Sequence, residues 1–129
     1  MKNKKKFQPT ESELEILQIL WQNGPSPVRF VNEKLNEKRE VGYTTTLKIM
    51  QIMAEKGLVE RDTNSRTHIY EASINEETTQ QRLLQKFVDS TFRGSAMKLV
   101  MQALGNHKAS DQELDEIKKL IERIENEGG

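Results

Sequence analysis

The chain has 129 residues, a formal net charge of zero, no cysteine and two histidines. That length suits one ordinary domain, or a small domain with an appendage, and leaves room for oligomerisation to add burial. The missing cysteines exclude disulfides, thiol catalysis, iron–sulfur clusters and cysteine-based zinc sites, while zero net charge argues neither for nor against nucleic acid.

With 34% hydrophobic and 31% charged residues, the chain is polar for its size, which points to exposed helices or a partner-dependent segment. The basic start "MKNKKKFQPT" is not followed by an apolar run, so residues 1–6 read as a disordered N-terminus and not as a signal peptide. No stretch is long enough to span a bilayer, and a soluble cytoplasmic protein is expected.

In chain order, Thr10 and Glu13 form a capping box for a first helix, whose Leu14, Leu17, Leu20 and Trp21 share a face. "NGPSP" stops it. Ser26 then reads as an N-cap, with Pro27 at the first position of a short second helix that turns Val28, Val31 and Leu35 inward. After the polar turn "NEKREVG", a third helix starts at Tyr43 or Thr44 and ends on Gly57 as a left-handed cap. Its inward stripe is Thr46, Ile49, Met50 and Met53, where a buried threonine hydroxyl needs a backbone carbonyl one turn earlier. Thr44, Lys48 and Ile52 point the other way, and Ile52 fits a groove-facing or a partial core position equally well. "LVERD" and "THIYEAS" are strand-like around the polar tip "TNSR", so a hairpin follows.

Residues 76–126 read as helical throughout. Leu84, Phe87, Val88 and Phe92 form a stripe, Gly94-Ser95 interrupts it, Met97, Val100, Met101 and Leu104 continue, and Gly105 closes. Ser110 and Glu113 make a second capping box. Leu114, Ile117, Ile121 and Ile124 then repeat at heptad spacing. Leu84, Phe87, Val88, Val100, Leu104, Leu114, Ile117, Ile121 and Ile124 are the candidate dimerisation residues. The expected fold is mostly α with a small β-hairpin: a winged helix-turn-helix domain over 7–75 and a helical dimerisation domain over 76–126.

The residues offer no catalytic chemistry: no phosphate loop, nucleophile motif or metal-ligand cluster, hence no cofactor and no metal. Glu76-Glu77 and Asp115-Glu116 read as solvated acids, and His68 as structural or phosphate-facing. Three helices and a hairpin suit DNA, because a helix enters the major groove with its N-terminal residues at base edges. The candidate contacts are Tyr43, Thr44, Thr45, Leu47, Lys48, Gln51 and, on the wing tip with Asn64 and Ser65, Arg66. The alternative is a winged-helix protein-interaction module that does not bind DNA.

"TESELEILQILW" at 10–21, "GYTTTLKIMQIMAEKGLVERD" at 42–62 and "RTHIYEASI" at 66–74 together resemble the penicillinase-repressor and methicillin-resistance-repressor family (BlaI/MecI/CopY type), over roughly residues 7 to 125. The resemblance implies a homodimeric winged-helix repressor of double-stranded operator DNA, each wing domain on half of a dyad and the C-terminal helices interlocking the dimer. It implies a recognition helix from Thr44 to Glu55 with Thr44, Thr45 and Lys48 at DNA-facing positions. Leu47 stands where some members carry a basic residue, and Arg66 at an often basic wing position. For the β-lactam-responsive members it further implies a membrane sensor-protease pathway that triggers cleavage of the repressor in its dimer helices, typically at an Asn-Phe bond. Here Gln102-Ala103 falls at that place, a departure that leaves cleavage of that specificity without its dipeptide. The copper-responsive branch's C-terminal cysteines are absent.

Overall fold

The computed structural model describes residues 8–64, 66–106 and 108–128. The basic segment 1–6, the wing-tip Ser65 and His107 lie outside these residues.

Helix α1 (Glu11–Asn23) starts on the expected capping box. The Thr10 hydroxyl accepts the Glu13 N–H at 3.2 Å, and Glu13 Oε1 accepts the Thr10 N–H at 2.9 Å. Its buried stripe is Glu13, Ile16, Leu17 and Leu20, an i, i+3, i+4, i+7 set. Leu14 and Trp21, expected on this face with Leu17 and Leu20, lie half-buried at its margins, and Ile16 is fully buried within it. The stripe opens on a glutamate. Glu13 is buried, and its second carboxylate oxygen accepts Lys56 Nζ at 2.8 Å, which ties the first turn of α1 to the last turn of the third helix. Trp21 instead donates its indole N–H to the Ile74 carbonyl at 3.0 Å.

Gly24, at φ 81°, ends α1 in a conformation that an L side chain resists. The next two residues depart from expectation. Ser26–Pro27 is not a cap and first helical turn but a short strand, β1, and the Ser26 hydroxyl donates back to the Gly24 carbonyl at 2.8 Å. Helix α2 (Val28–Asn36) begins directly after it, with extended Pro27 at the N-cap position and no side-chain cap, and buries Val28, Val31 and Leu35 as expected.

The turn from α2 into α3 (Tyr43–Lys56) is held by two asparagines. Asn36 pairs with both backbone groups of Val41, accepting its N–H at 3.1 Å and donating to its carbonyl at 2.9 Å. Asn32 Nδ2 donates to the Val41 carbonyl at 3.0 Å and to the Thr46 hydroxyl at 2.8 Å. Thr46 is fully buried and donates to the Gly42 carbonyl one turn earlier, at 3.4 Å. Gly57 closes α3 at φ 83°, ψ 12°. The Leu58 N–H reaches the Met53 carbonyl and the Gly57 N–H the Ala54 carbonyl, which is a Schellman motif. Met50 and Met53 are fully buried, Ile49 is half-buried, and Ile52 is exposed (38%), which resolves its two readings in favour of the outer surface.

Strands β2 (Val59–Asp62) and β3 (Ile69–Ala72) form the expected hairpin, and β1 adds to its other side, giving the antiparallel order β1-β3-β2. Pro27 pairs opposite Ile69 and Ser26 opposite Tyr70. Proline is tolerated there because β1 is an edge strand. One core joins α1, α2 and α3 with the sheet, through Ile16, Leu17, Val31, Met50, Met53, Leu58, Val59 and Tyr70.

The chain divides into two compact units, and the boundary falls within α4 (Glu76–Phe92), between Leu84 and Gln85. The Asn75 side chain caps α4 by accepting the Thr78 N–H at 2.9 Å. The helix stops at Arg93 and Gly94, both at positive φ. The expected break therefore stands, with α5 (Ala96–Asn106) opening on the Ser95 hydroxyl. Gly105 does not close α5; it lies within it. Helix α6 (Asp111–Gly128) starts on the expected Ser110/Glu113 capping box, at 3.1 and 3.0 Å. Neither α5 nor α6 buries a residue.

Candidate nucleic-acid interface

The outer face of α3 comes from its helical period. Inward-facing Thr46, Met50 and Met53 leave Tyr43, Thr44, Thr45, Lys48 and Gln51 exposed, while Leu47 is half-buried. The first hydrogen bond of the helix runs from the Thr46 N–H to the Gly42 carbonyl at 3.2 Å, and no side chain caps Gly42. The N–H groups of Tyr43, Thr44 and Thr45 therefore face outward from the positive end of the helix dipole.

Beside this face runs an open cleft of about 650 Å³, lined by α3, the start of α2 and the hairpin. It brings together four of the expected contact residues: Tyr43, Leu47, Gln51 and Arg66. Thr44, Thr45 and Lys48 do not line it and occupy the adjoining outer surface of α3. Arg29, Arg61, Thr67 and His68 also line the cleft. Arg29 and Arg61 were missed by sequence reasoning, and His68 was left with two roles. For Arg61 a signal existed. Strand alternation puts it on the same side as buried Val59, and its cross-strand partner is buried Tyr70. Arg61 thus shares the face of β2 that carries Val59, and there it stays exposed and lines the cleft. Arg29 carried no such mark, because its place depends on how α2 meets the hairpin.

The electrostatics of the cleft differ from those of the whole chain. Net charge is zero, yet Arg29, Arg61 and Arg66 line the cleft and, among the described residues, no carboxylate does. Among the described residues none of these three is held in an ion pair. The ion pairs of the first unit lie elsewhere. Arg39 pairs with Glu15, and its guanidinium is raised further above its ordinary value by that hydrogen bond and then by the carboxylate charge. No group of His, Asp or Glu side chains among the described residues is arranged to hold a metal ion, and no helix among them is long and apolar enough to cross a membrane.

Helices α4, α5 and α6 present apolar side chains without covering them. Leu84, Phe87, Val100, Leu104, Leu114, Ile121 and Ile124 are exposed, Ile124 by 58%, and Ile117 is half-buried. Val88 differs: it is buried (4% exposed) within the chain, so it is not part of this exposed set. Phe87 and Phe92 meet edge to face at 5.7 Å.

Three helices, the third with its N-terminal end exposed, followed by a hairpin whose sheet is completed by a strand between the first two helices, define a winged helix-turn-helix domain; a helical C-terminal segment is appended to it. The penicillinase repressor family model matches residues 9–123, and the chain belongs to that family. The chain is 21% identical to a penicillinase repressor of Bacillus licheniformis over 123 residues, covering 95% of this chain and 96% of that protein. It is 17% identical to a penicillinase repressor of Staphylococcus aureus over 120 residues, covering 93% and 95%. A transcriptional regulator BlaI of Mycobacterium tuberculosis is 36% identical over 59 residues, covering 45% of this chain and 43% of that one.

Proposed function

We propose that this protein is a transcriptional repressor that binds a dyad operator as a homodimer, with α3 in the major groove and the β2–β3 wing along the adjacent backbone. The observation that carries this reading is the arginine-lined, carboxylate-free cleft beside the exposed face of α3, in a chain whose net charge is zero. Phosphates demand cations and N–H donors, which the cleft and the uncapped start of α3 supply. Base edges take hydroxyl, amide and ammonium groups and apolar contacts, which Thr44, Thr45, Gln51, Lys48 and Leu47 supply on the outer side of α3. Family membership supports the repressor role.

A dyad needs two copies, and the uncovered apolar faces of α4, α5 and α6 supply a surface for a second chain. An exposed row such as Leu114, Ile121 and Ile124 on one helix is costly to leave in water. Half-sites would then lie about one helical turn apart, roughly 34–36 Å, or a multiple of it.

Proteolytic control of the kind the resemblance implies finds little support in the local chemistry. Gln102-Ala103 lies within helical α5 and lacks the Asn-Phe pair. A protease must first unwind the helix to take the chain in extended form.

The test is binding to duplexes recovered by in vitro selection from random DNA. Log affinity should fall linearly with log salt, and Arg61→Ala and Arg66→Ala should each reduce that slope by about 1 without changing sequence preference. Absence of any salt-sensitive, sequence-selective binding by the folded dimer would refute the reading.

A further inference from the structure

The α3 surface that meets the cleft is not uniformly polar. Tyr43, Leu47 and Gln51 stand at i, i+4 and i+8, so they form one ridge along the helix. All three line the cleft. Tyr43 is half exposed (50%), while Leu47 packs on one side against the core and opens on the other to the cleft. The neighbouring ridge, Thr44, Lys48 and Ile52, is exposed throughout. Between residues 43 and 52 there is no arginine, asparagine or carboxylate, and Lys48 is the one cation.

Each base edge in the major groove asks for a different partner. Guanine favours arginine or lysine, cytosine an acidic acceptor, adenine asparagine or glutamine, and thymine is the base whose edge carries a methyl group. The arginine fork and the acid are missing from this helix face. Besides Lys48 and the Tyr43 ring, what the first two turns offer outward is small hydroxyl–methyl side chains and one leucine.

We propose that Leu47, flanked by the Tyr43 ring, is a specificity-determining residue that covers the 5-methyl group of a thymine in each half-site. The proposal rests on the DNA-binding reading above and says which base chemistry that site selects. Arg29, Arg61 and Arg66 line the same cleft and supply the cations that phosphates need, which leaves the apolar ridge of α3 for bases. Leu47 suits the task because its core packing holds the side chain in place before DNA arrives, so little freedom is lost on contact.

Covering one methyl group amounts to about a fourfold gain in affinity, and about fifteenfold when both half-sites are counted. The test uses the full chain and the selected duplexes. Each thymine is replaced in turn by deoxyuridine, which keeps every hydrogen-bonding group and removes the methyl alone. For the wild type, one thymine position per half-site should show the fourfold loss, rising to about fifteenfold when both copies are replaced. Leu47→Gln keeps the length of the side chain but puts a polar amide where leucine has its two methyl groups, and should bind the thymine and deoxyuridine duplexes alike at that position. Leu47→Ala should do the same, with Trp21 fluorescence confirming that each variant is folded.

Selective wild-type binding that is indifferent to deoxyuridine at every thymine overturns the proposal and leaves the repressor reading intact. So does undiminished methyl sensitivity in folded Leu47→Gln, which would assign the methyl contact to Thr44 or Thr45. Loss of all selective binding by the wild type overturns both.

Discussion

Thr46→Val is the substitution that most directly examines how α3 is held. Valine keeps the shape of threonine and removes its hydroxyl. In the native chain that hydroxyl accepts from Asn32 Nδ2 at 2.8 Å and donates to the Gly42 carbonyl at 3.4 Å. The two losses are unequal. The Gly42 carbonyl keeps the Thr46 N–H as a donor at 3.2 Å, so it stays satisfied. Asn32 keeps one bond, to the Val41 carbonyl, but its second N–H is left facing a methyl group. A buried donor without a partner costs about 1–3 kcal/mol. The extra methyl returns part of this, so a net loss of about 1–2 kcal/mol is expected. The assay is urea unfolding followed by Trp21, the chain's one tryptophan, which reports on the first unit through its bond to the Ile74 carbonyl. Asn32→Ala and the double variant complete a cycle, with a coupling of about 1 kcal/mol expected. A Thr46→Val protein as stable as the wild type, with no coupling to Asn32, would refute the view that this pair pins α3 to α2.

Three further outcomes follow from particular contacts. Lys56→Met strips the buried Glu13 carboxylate of its cation, so stability should fall by about 2 kcal/mol in the same assay, and Glu13→Gln in the same chain should recover part of the loss. Glu60 and Glu71 stand directly opposite each other on β2 and β3, both exposed, so Glu71→Lys should stabilise the hairpin by about 0.5 kcal/mol, measured by urea midpoint at low salt. Ile121→Asp places a carboxylate on the uncovered face of α6 and should give a monomer by sedimentation, with weakened binding to a dyad duplex; a wild-type chain that is itself monomeric at micromolar concentration would remove the basis for this expectation.

Much of the architecture is legible in residues that act locally. Both capping boxes, the left-handed stop at Gly57 and the break at Gly94 are decided within four or five residues of chain, so their spacing announces them. The inward stripe of α3 follows from the 3.6-residue period, and it separates Thr46, bonded to the Gly42 carbonyl as expected, from Thr44 and Thr45 on the outer face. Where reading failed, a distant partner made the difference. Ser26-Pro27 has the local chemistry of a helix start, but Tyr70 and Ile69 claim it as a strand, a pairing across more than forty residues that no local pattern records. Glu13 looked like a cap residue alone; its place in the core depends on Lys56, at the far end of α3.

The amino-acid sequence by itself therefore determined which segments are helix, which are hairpin, and which face of α3 turns outward, because hydrophobic period and capping chemistry are short-range. Tertiary structure alone decided the company that face keeps. Arg29 from α2, Arg61 from β2 and Arg66 from the wing are separated along the chain, and only the packing of α2 and α3 against the sheet lines one cleft with them. Charge is additive along a sequence but acts through space, so a chain with a net charge of zero carries a cationic site that its composition does not reveal.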